Sequence, residues 1–259
     1  MQFTGAEIGS FLGSFMWPFF RIAAMVAAMP VFSSAFVPIR VRLIFALALT
    51  LVIMPVVPAV PAIDPISVAG VIIIAQQLLI GICMGFIFHL VFGIFIIAGQ
   101  IIATQMGLAF ATMVDPINGS QAPVLSIFFM MLITLLFLSM DGHLALISAV
   151  ASSFTSLPIG TEGIGKDGFW TLALWGNEMF RGAVLVSLPA VTALLLVNVA
   201  LGVMTRAAPQ LNIFAVGFAV TISAGLYVLV LTLPSVLPQF ELVSAQAFEL
   251  IRTLIHAQQ

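Results

Sequence analysis

PISVAGVIIIAQQLLIGICMGFIFHLVFGIFIIAGQIIATQMGLAFATMV, the stretch from Pro65 to Val114, contains no Asp, Glu, Lys or Arg. As one straight helix rising about 1.5 Å per residue, its roughly 50 residues would measure about 75 Å against a hydrocarbon core of about 30 Å. Such a run must break or leave the membrane. At its far end, Gly107 to Ala122 is more polar and holds Gly107, Gly119 and Pro116, so it reads as a loop between two apolar stretches.

The rest of the chain has the same character. Of 259 residues, 63% are apolar and 6% charged, where a soluble domain has roughly 45 to 50% and about 25%. An ordinary soluble domain is excluded. A span takes about 20 apolar residues, so the length allows at most about eight passes. The fold class is all-α: a polytopic helical membrane protein with long, broken helical hairpins. Seven Lys and Arg against nine Asp and Glu, with no basic run, leave no footprint for gripping nucleic acid. Cys83, the one cysteine, can form no intrachain disulfide and reads as a small buried side chain. The first twenty residues carry only Glu7, so the first apolar segment is expected to be retained and not cleaved as a signal peptide.

Charges this sparse punctuate the chain. Phe11 to Met29 and Val41 to Val60 read as passes one and two, joined near Arg40 and Arg42; a Pro-rich turn around Asp64 follows. Pro123 to Leu157 is apolar around Asp141, Gly142 and His143. Thr161 to Arg181 holds the densest charge cluster and is expected to be a solvated loop. Gly182 to Thr205 and Leu211 to Leu237 read as a hairpin with a tight turn at Arg206, followed by a mildly amphipathic tail after Pro238. Cytoplasmic loops collect Lys and Arg, which places the turns with Arg40, Arg42 and Arg206 inside. Parity then requires an even number of crossings between Pro65 and Leu157. Two are preferred, giving six passes with both termini outside.

No phosphate-binding Gly-rich loop, zinc-binding His-Glu-x-x-His or Gly-x-Ser-x-Gly elbow occurs. Asp141 and His143 are two apart, a spacing that does not share a helical face, and read as a helix break satisfied locally. Arg21 sits mid-way along the first pass, where insertion costs about 2.5 to 3.5 kcal/mol. It needs a carbonyl partner within the bundle, a route to the interface, or a helix sheathed by protein. His89 reads as a packed neutral histidine. Gly5, Gly9 and Gly13 form one row at helical spacing and Gly81 with Gly85 another, so both are candidate faces for close helix packing or partner contact. Trp17, Trp170 and Trp175 are the main candidates for an interfacial aromatic belt.

Three stretches taken together carry a resemblance. The first runs from Leu79-Ile-Gly-Ile-Cys-Met-Gly85 through Ala98-Gly99-Gln100 to Gln105-Met-Gly-Leu-Ala-Phe-Ala111 and Asp115-Pro116. The second is Asp141-Gly-His-Leu144 with Ser153-Phe154 and Leu157-Pro158. The third is Thr205-Arg-Ala-Ala-Pro-Gln-Leu-Asn212 with Phe214 and Val216-Gly217. With Pro30-Val-Phe32 and Val37-Pro38-Ile-Arg40 near the start, their order and spacing resemble the FliR/SctT family of type III secretion export-gate proteins over nearly the whole chain.

The resemblance implies a conduit and not an enzyme, without a cofactor or metal. Proteins of this kind join FliP and FliQ subunits in a helical assembly of the bacterial inner membrane, at the flagellar basal body. FlhB wraps the entrance, FlhA lies nearby, and unfolded flagellar substrates pass through; membrane lipids and neighbouring subunits cover the apolar helices. By the same resemblance, residues 1–181 are FliP-like and contain the pore plug at 107–122, while 182–259 are a FliQ-like hairpin and tail. The plug residues so implied are Gly107, Leu108, Phe110, Met113, Val114, Asp115 and Pro116. The family usually has Glu immediately before Leu-Leu-Ile-Gly, where this chain has Gln77. An injectisome homologue is the alternative within the family, although the Gly-Leu-Ala-Phe-Ala and Asp-Pro pairing leans flagellar. A small-solute secondary transporter is the alternative class, and it would require convergent buried charges and a repeat between halves. An intramembrane enzyme built on Asp141 and His143 lacks a nucleophile or metal cluster.

Overall fold

Ser67 opens the central helix. Its hydroxyl accepts from the Gly70 N–H at 3.1 Å and donates to the Asp64 carbonyl at 2.6 Å, an N-cap that also closes the Pro-rich turn. The computed structural model describes residues 5–33, 37–58, 60–61, 63–65, 67–108, 124–207 and 213–256. Its helices are α1 (Gly5–Ala28), the single turn α2 (Pro30–Ser33), α3 (Ile39–Ile53), α4 (Val68–Gln105), α5 (Val124–Ser139), α6 (Gly142–Ser156), α7 (Lys166–Ala207) and α8 (Ile213–His256). A 3₁₀ turn, Met54–Val56, ends α3 at Pro55. Among the described residues there is no strand, and the protein is an all-α membrane protein.

The charge-free run forms a single helix through Gln105. At 38 residues, α4 is about 57 Å long and outruns a hydrocarbon core of about 30 Å, as do the 42 residues of α7 and the 44 of α8. The most apolar window of α4 is 67% buried, while the corresponding windows in the α3 region, α7 and α8 are each 17% buried. A helix that is apolar on every side belongs in a core, and of these four windows that of α4 is the one its neighbours cover. Among the described residues four helices are long and apolar enough to cross a membrane, five if the bent pair α5 and α6 counts as one span. The apolar part of α1, Gly13–Ala28, is shorter.

Contacts divide the chain into two compact units. The first comprises Met1–Leu90, Leu138–Trp175 and Ser244–Gln259. In it α1 packs on α3, Trp17, Met25 and Met29 are fully buried, and Phe88 meets Phe248 edge-on at 4.9 Å. Gly168 near the start of α7 lies beside Leu254 near the end of α8. The second unit comprises Val91–Phe137 and Gly176–Val243. Its core is aromatic: Phe240 meets Phe92 and Phe95 edge-on at 6.4 and 5.8 Å, and Phe92 meets Phe137 at 5.9 Å. Gly93 and Gly182 let α7 approach α4 there, through Met179 and Ile94.

Three expectations need correction. The stretch Thr161 to Arg181 is not a loop: helix begins at Lys166 and continues through Arg181. Asp167 in the first turn complements the helix dipole, and Glu178 and Arg181 pair at 2.8 Å one turn apart, so the charges decorate a helix instead of ending one. Trp17 is in the core and not in an interfacial belt, whereas Trp170 is exposed. His89 is exposed and stacked on Phe86 at 6.2 Å, because at its turn of α4 the buried faces belong to Ile87, Phe88, Leu90 and Val91.

The break between α5 and α6 bends the pair by 66°. Asp141 makes it with a left-handed φ of 55°, its N–H bonded to Leu138 O and its carbonyl accepting from Leu144 and Ala145. No side chain caps the new helix; the satisfaction is by backbone. Pro189, Pro234 and Pro238 lie within α7 and α8 without ending them. The tail after Pro238 is thus the continuation of α8.

Candidate functional site

Two glycines decide how α1 meets α4 in the first unit. A Cβ at Gly81 would collide with the Arg21 carbonyl and lie 2.8 Å from Ala24 Cβ; one at Gly85 would lie 2.7 Å from Ala28 Cβ and 2.8 Å from Met25 O. Only a residue without a side chain allows this approach, so the Gly81 and Gly85 face is occupied by the chain's own first helix. A Cβ at Gly13 would lie 2.8 Å from Trp17 Nε1 of α1 itself. Gly5 and Gly9 lie in the first turns of α1, where side-chain surroundings are not described.

The close approach carries Arg21 into a junction of three helices. The fully buried guanidinium donates four hydrogen bonds: Nε to Gln77 Oε1 at 2.8 Å, Nη1 to Ser153 O at 2.9 Å and Ser153 Oγ at 3.0 Å, and Nη2 to Leu157 O at 3.0 Å. Its carbon Cζ lies 4.3 Å above the Phe154 ring. Ser153 Oγ spends its own proton on Val150 O, which leaves a lone pair for the arginine. Ser153 and Leu157 stand at the end of α6, where the helix dipole is negative; Ser153 O also accepts from the Leu157 N–H at 2.9 Å. Arg21 thus caps α6 from another helix, with the helix dipole and the ring face as its neutralising partners. Gln77 serves as a neutral acceptor, and its Nε2 has no partner. The motif Ser153-Phe154 with Leu157 therefore has a physical content that spacing alone does not reveal.

In the second unit α4 ends in a Schellman motif. Gly107, at φ 81°, donates to Thr104 O at 3.0 Å, and Leu108 donates to Ala103 O at 3.0 Å. Met106, fully buried, is seated on α8: its carbonyl accepts from Thr221 Oγ1 at 3.3 Å, and a Cβ at Gly225 would lie 2.7 Å from its Sδ. Of the plug residues expected from sequence, Gly107 and Leu108 are therefore at the end of a helix cap. Phe110, Met113, Val114, Asp115 and Pro116 lie outside the described residues. Sequence reasoning missed Thr221 and Gly225; their signal is a Gly and a hydroxyl residue four apart on an apolar helix.

Arg40 is exposed at the start of α3, Arg42 donates from Nε to Val37 O at 3.1 Å, and Arg206 is exposed in the last turn of α7. Asp141 is exposed at its break, and His143 Nδ1 is buried without a partner. Among the described residues no group of three or more His, Cys, Asp or Glu is placed to hold a metal ion. Cys83 is buried and free.

Fold and junction together define a polytopic helical membrane protein in which a buried central helix is clasped by its neighbours and by an internal arginine cap. Over residues 12–247 the chain matches the bacterial export proteins, family 1, and it belongs to that family. It is 39% identical over 256 residues to "Flagellar biosynthetic protein FliR" of Pectobacterium carotovorum subsp. carotovorum, covering 98% of this chain and 97% of that one. To the protein of the same name from Escherichia coli (strain K12) it is 38% identical over 255 residues, again 98% and 97%. To that of Bacillus subtilis (strain 168) it is 29% identical over 245 residues, covering 93% and 94%.

Proposed function

We propose that this chain is a FliR-type component of the flagellar type III export apparatus in the bacterial inner membrane, where it helps form and seal the conduit for unfolded flagellar substrates. One observation carries the reading: the family match runs through residues 12–247, with flagellar relatives covered nearly end to end. The geometry supports it. Three helices far longer than a bilayer, two of them mostly uncovered by this chain, suit an assembly in which other subunits do the covering. The partners are FliP and FliQ subunits within a helical assembly, with FlhB and FlhA beside it. In that assembly residues 1–181 are FliP-like and 182–259 FliQ-like. The role is structural, a path and a seal, with no catalytic group assigned.

The seal is the stretch 107–122. Leu108, Phe110, Met113 and Val114 are apolar side chains in a segment that follows a helix cap and contains Pro116 and Gly119. Irregular apolar chain at membrane depth requires protein around it or a lumen. Inside a conduit apolar residues close the path by packing and dewetting, and a passing chain can displace side chains held by dispersion and burial.

The test is deletion of residues 109–122 in the native host. The complex with FliP and FliQ subunits should still be recovered, while cells take up small ions or dyes through it. A tight membrane with unchanged export would remove the seal assignment. A protein that purifies alone and moves a small solute, or a gene deletion that leaves flagella intact, would remove the export role.

A further inference from the structure

The first helix carries its own obstacle to entering a membrane. Arg21 lies inside α1, Pro18 three residues earlier contributes no backbone N–H, and Gly9 and Gly13 weaken the helix further. A guanidinium in hydrocarbon is costly unless protein receives it. Every acceptor that receives this one belongs to chain synthesised later: Gln77 is 56 residues on, Ser153 132 and Leu157 136. Phe154, whose ring lies beneath the guanidinium, comes from the same late stretch. All of these residues belong to the first unit.

Packing between α1 and α4 does not remove the obstacle by itself. Gly81 and Gly85 admit the backbone of α1 closely. Of the five N–H groups of a guanidinium, however, α4 meets one, through Gln77 Oε1. The other three hydrogen bonds go to Ser153 O, Ser153 Oγ and Leu157 O at the end of α6. Docking on α4 before α6 is in place would therefore bury a charge with most of its donors unmet.

We propose that Arg21 is a folding lock: α1 takes its buried place against α4 only once the end of α6 is there to receive the guanidinium. Until then α1 waits with its charge in water, and it does not enter the membrane as an independent span. The close fit over Gly81 and Gly85 is thus made late, although α1 is synthesised first. The lock makes no use of the export role and stands or falls without it.

Two reporters separate the helices. One is the native Cys83, buried in α4; the other is Met25→Cys in a Cys83→Ala background, at a fully buried place in α1. Full-length chains are pulse-labelled in cells that carry the whole export complex, and each thiol is challenged with N-ethylmaleimide during the chase. Cys83 should become unreactive first, and the reporter in α1 should take several-fold longer. Arg21→Leu removes the charge and should bring the two times together. A reporter in α1 that is protected as early as Cys83 while Arg21 is present overturns the proposal.

At steady state the lock is broken from the α6 side. Ser153→Leu sets an apolar side chain against the guanidinium in place of the hydroxyl that accepts from it. It should raise the reactivity of the reporter in α1 several-fold, while Cys83, followed in its own chain, stays protected. Adding Arg21→Leu should return the reporter to parental protection. A Ser153→Leu chain whose α1 stays protected, or a double variant no better protected than Ser153→Leu, overturns the lock. Where Ser153→Leu exposes Cys83 as well, the unit as a whole is lost, and the order of protection in the pulse-labelled chains decides.

Discussion

Arg21 ties α1 to α4 and to the end of α6 through one buried side chain. Each of its hydrogen bonds is charge-assisted and buried, and hydrogen bonds to charged groups contribute about 1.5 to 3 kcal/mol each when made. Removing the arginine leaves Gln77 Oε1 and Leu157 O without the donors it supplies, while Ser153 O keeps the Leu157 N–H. Arg21→Ala should therefore destabilise by about 1 to 3 kcal/mol for each acceptor left buried and unpaired. Arg21→Lys keeps the charge but not the planar fork, and should lose about 1 to 3 kcal/mol. Gln77→Glu exchanges an unpartnered donor for a second acceptor and should cost nothing at neutral pH. Thermal unfolding of the detergent-solubilised complex reads all three, and an Arg21→Lys protein as stable as parent would refute the capping role.

Among the helical elements, the break between α5 and α6 and the contact between α1 and α4 are the places where one residue type is demanded. Asp141 holds a left-handed backbone that costs a side-chain-bearing residue about 1 to 2 kcal/mol relative to glycine. Asp141→Gly should be neutral or stabilising by about 1 kcal/mol, and Asp141→Val should be clearly destabilising. Equal stabilities of the two would mean that the bend is set elsewhere. At Gly85 the opposite holds: Gly85→Leu must push α1 away from α4, since the nearest atoms are backbone and a short Ala side chain. Overpacking of this kind costs about 1 to 3 kcal/mol or more. Recovery of the complex should fall.

For the molecule as a whole, labelling tests the topology and expression tests the cover. The rule that cytoplasmic loops collect Lys and Arg places Arg40 and Arg206 on the cytoplasmic side and the neighbourhoods of Asp64 and Lys166 outside. Single cysteines beside Asp64 and Lys166, in a Cys83→Ala background, should react with an impermeant maleimide added from the periplasm, and those beside Arg40 and Arg206 should not. The reverse pattern would invert the topology. Cover is tested by expression: with Val199, Val203, Tyr227, Val230 and Leu231 all mostly exposed, the chain alone should give low yield and aggregate. Co-expression with FliP and FliQ subunits should raise recovery severalfold.

Some of this was decided by the sequence by itself, because a backbone in an apolar medium has only one economical way to satisfy its polar groups. The absence of charge between Pro65 and Val114, Asp141-Gly142 in the middle of an apolar stretch and Arg206 between two others were enough to read a helical membrane protein and several of its turns. Motif order carried the family. Charge density misled at Lys166 to Arg181, since a solvated helix face and a loop have the same composition. What tertiary structure alone decided were matters of distance between residues far apart in the chain. That Arg21 finds the carbonyls at the end of α6, 132 to 136 residues away, and that Met106 rests on Thr221, 115 residues away, follow from which helices pack. Gly81, Gly85 and Gly225 could be seen as small; only the packed helices said what each makes room for.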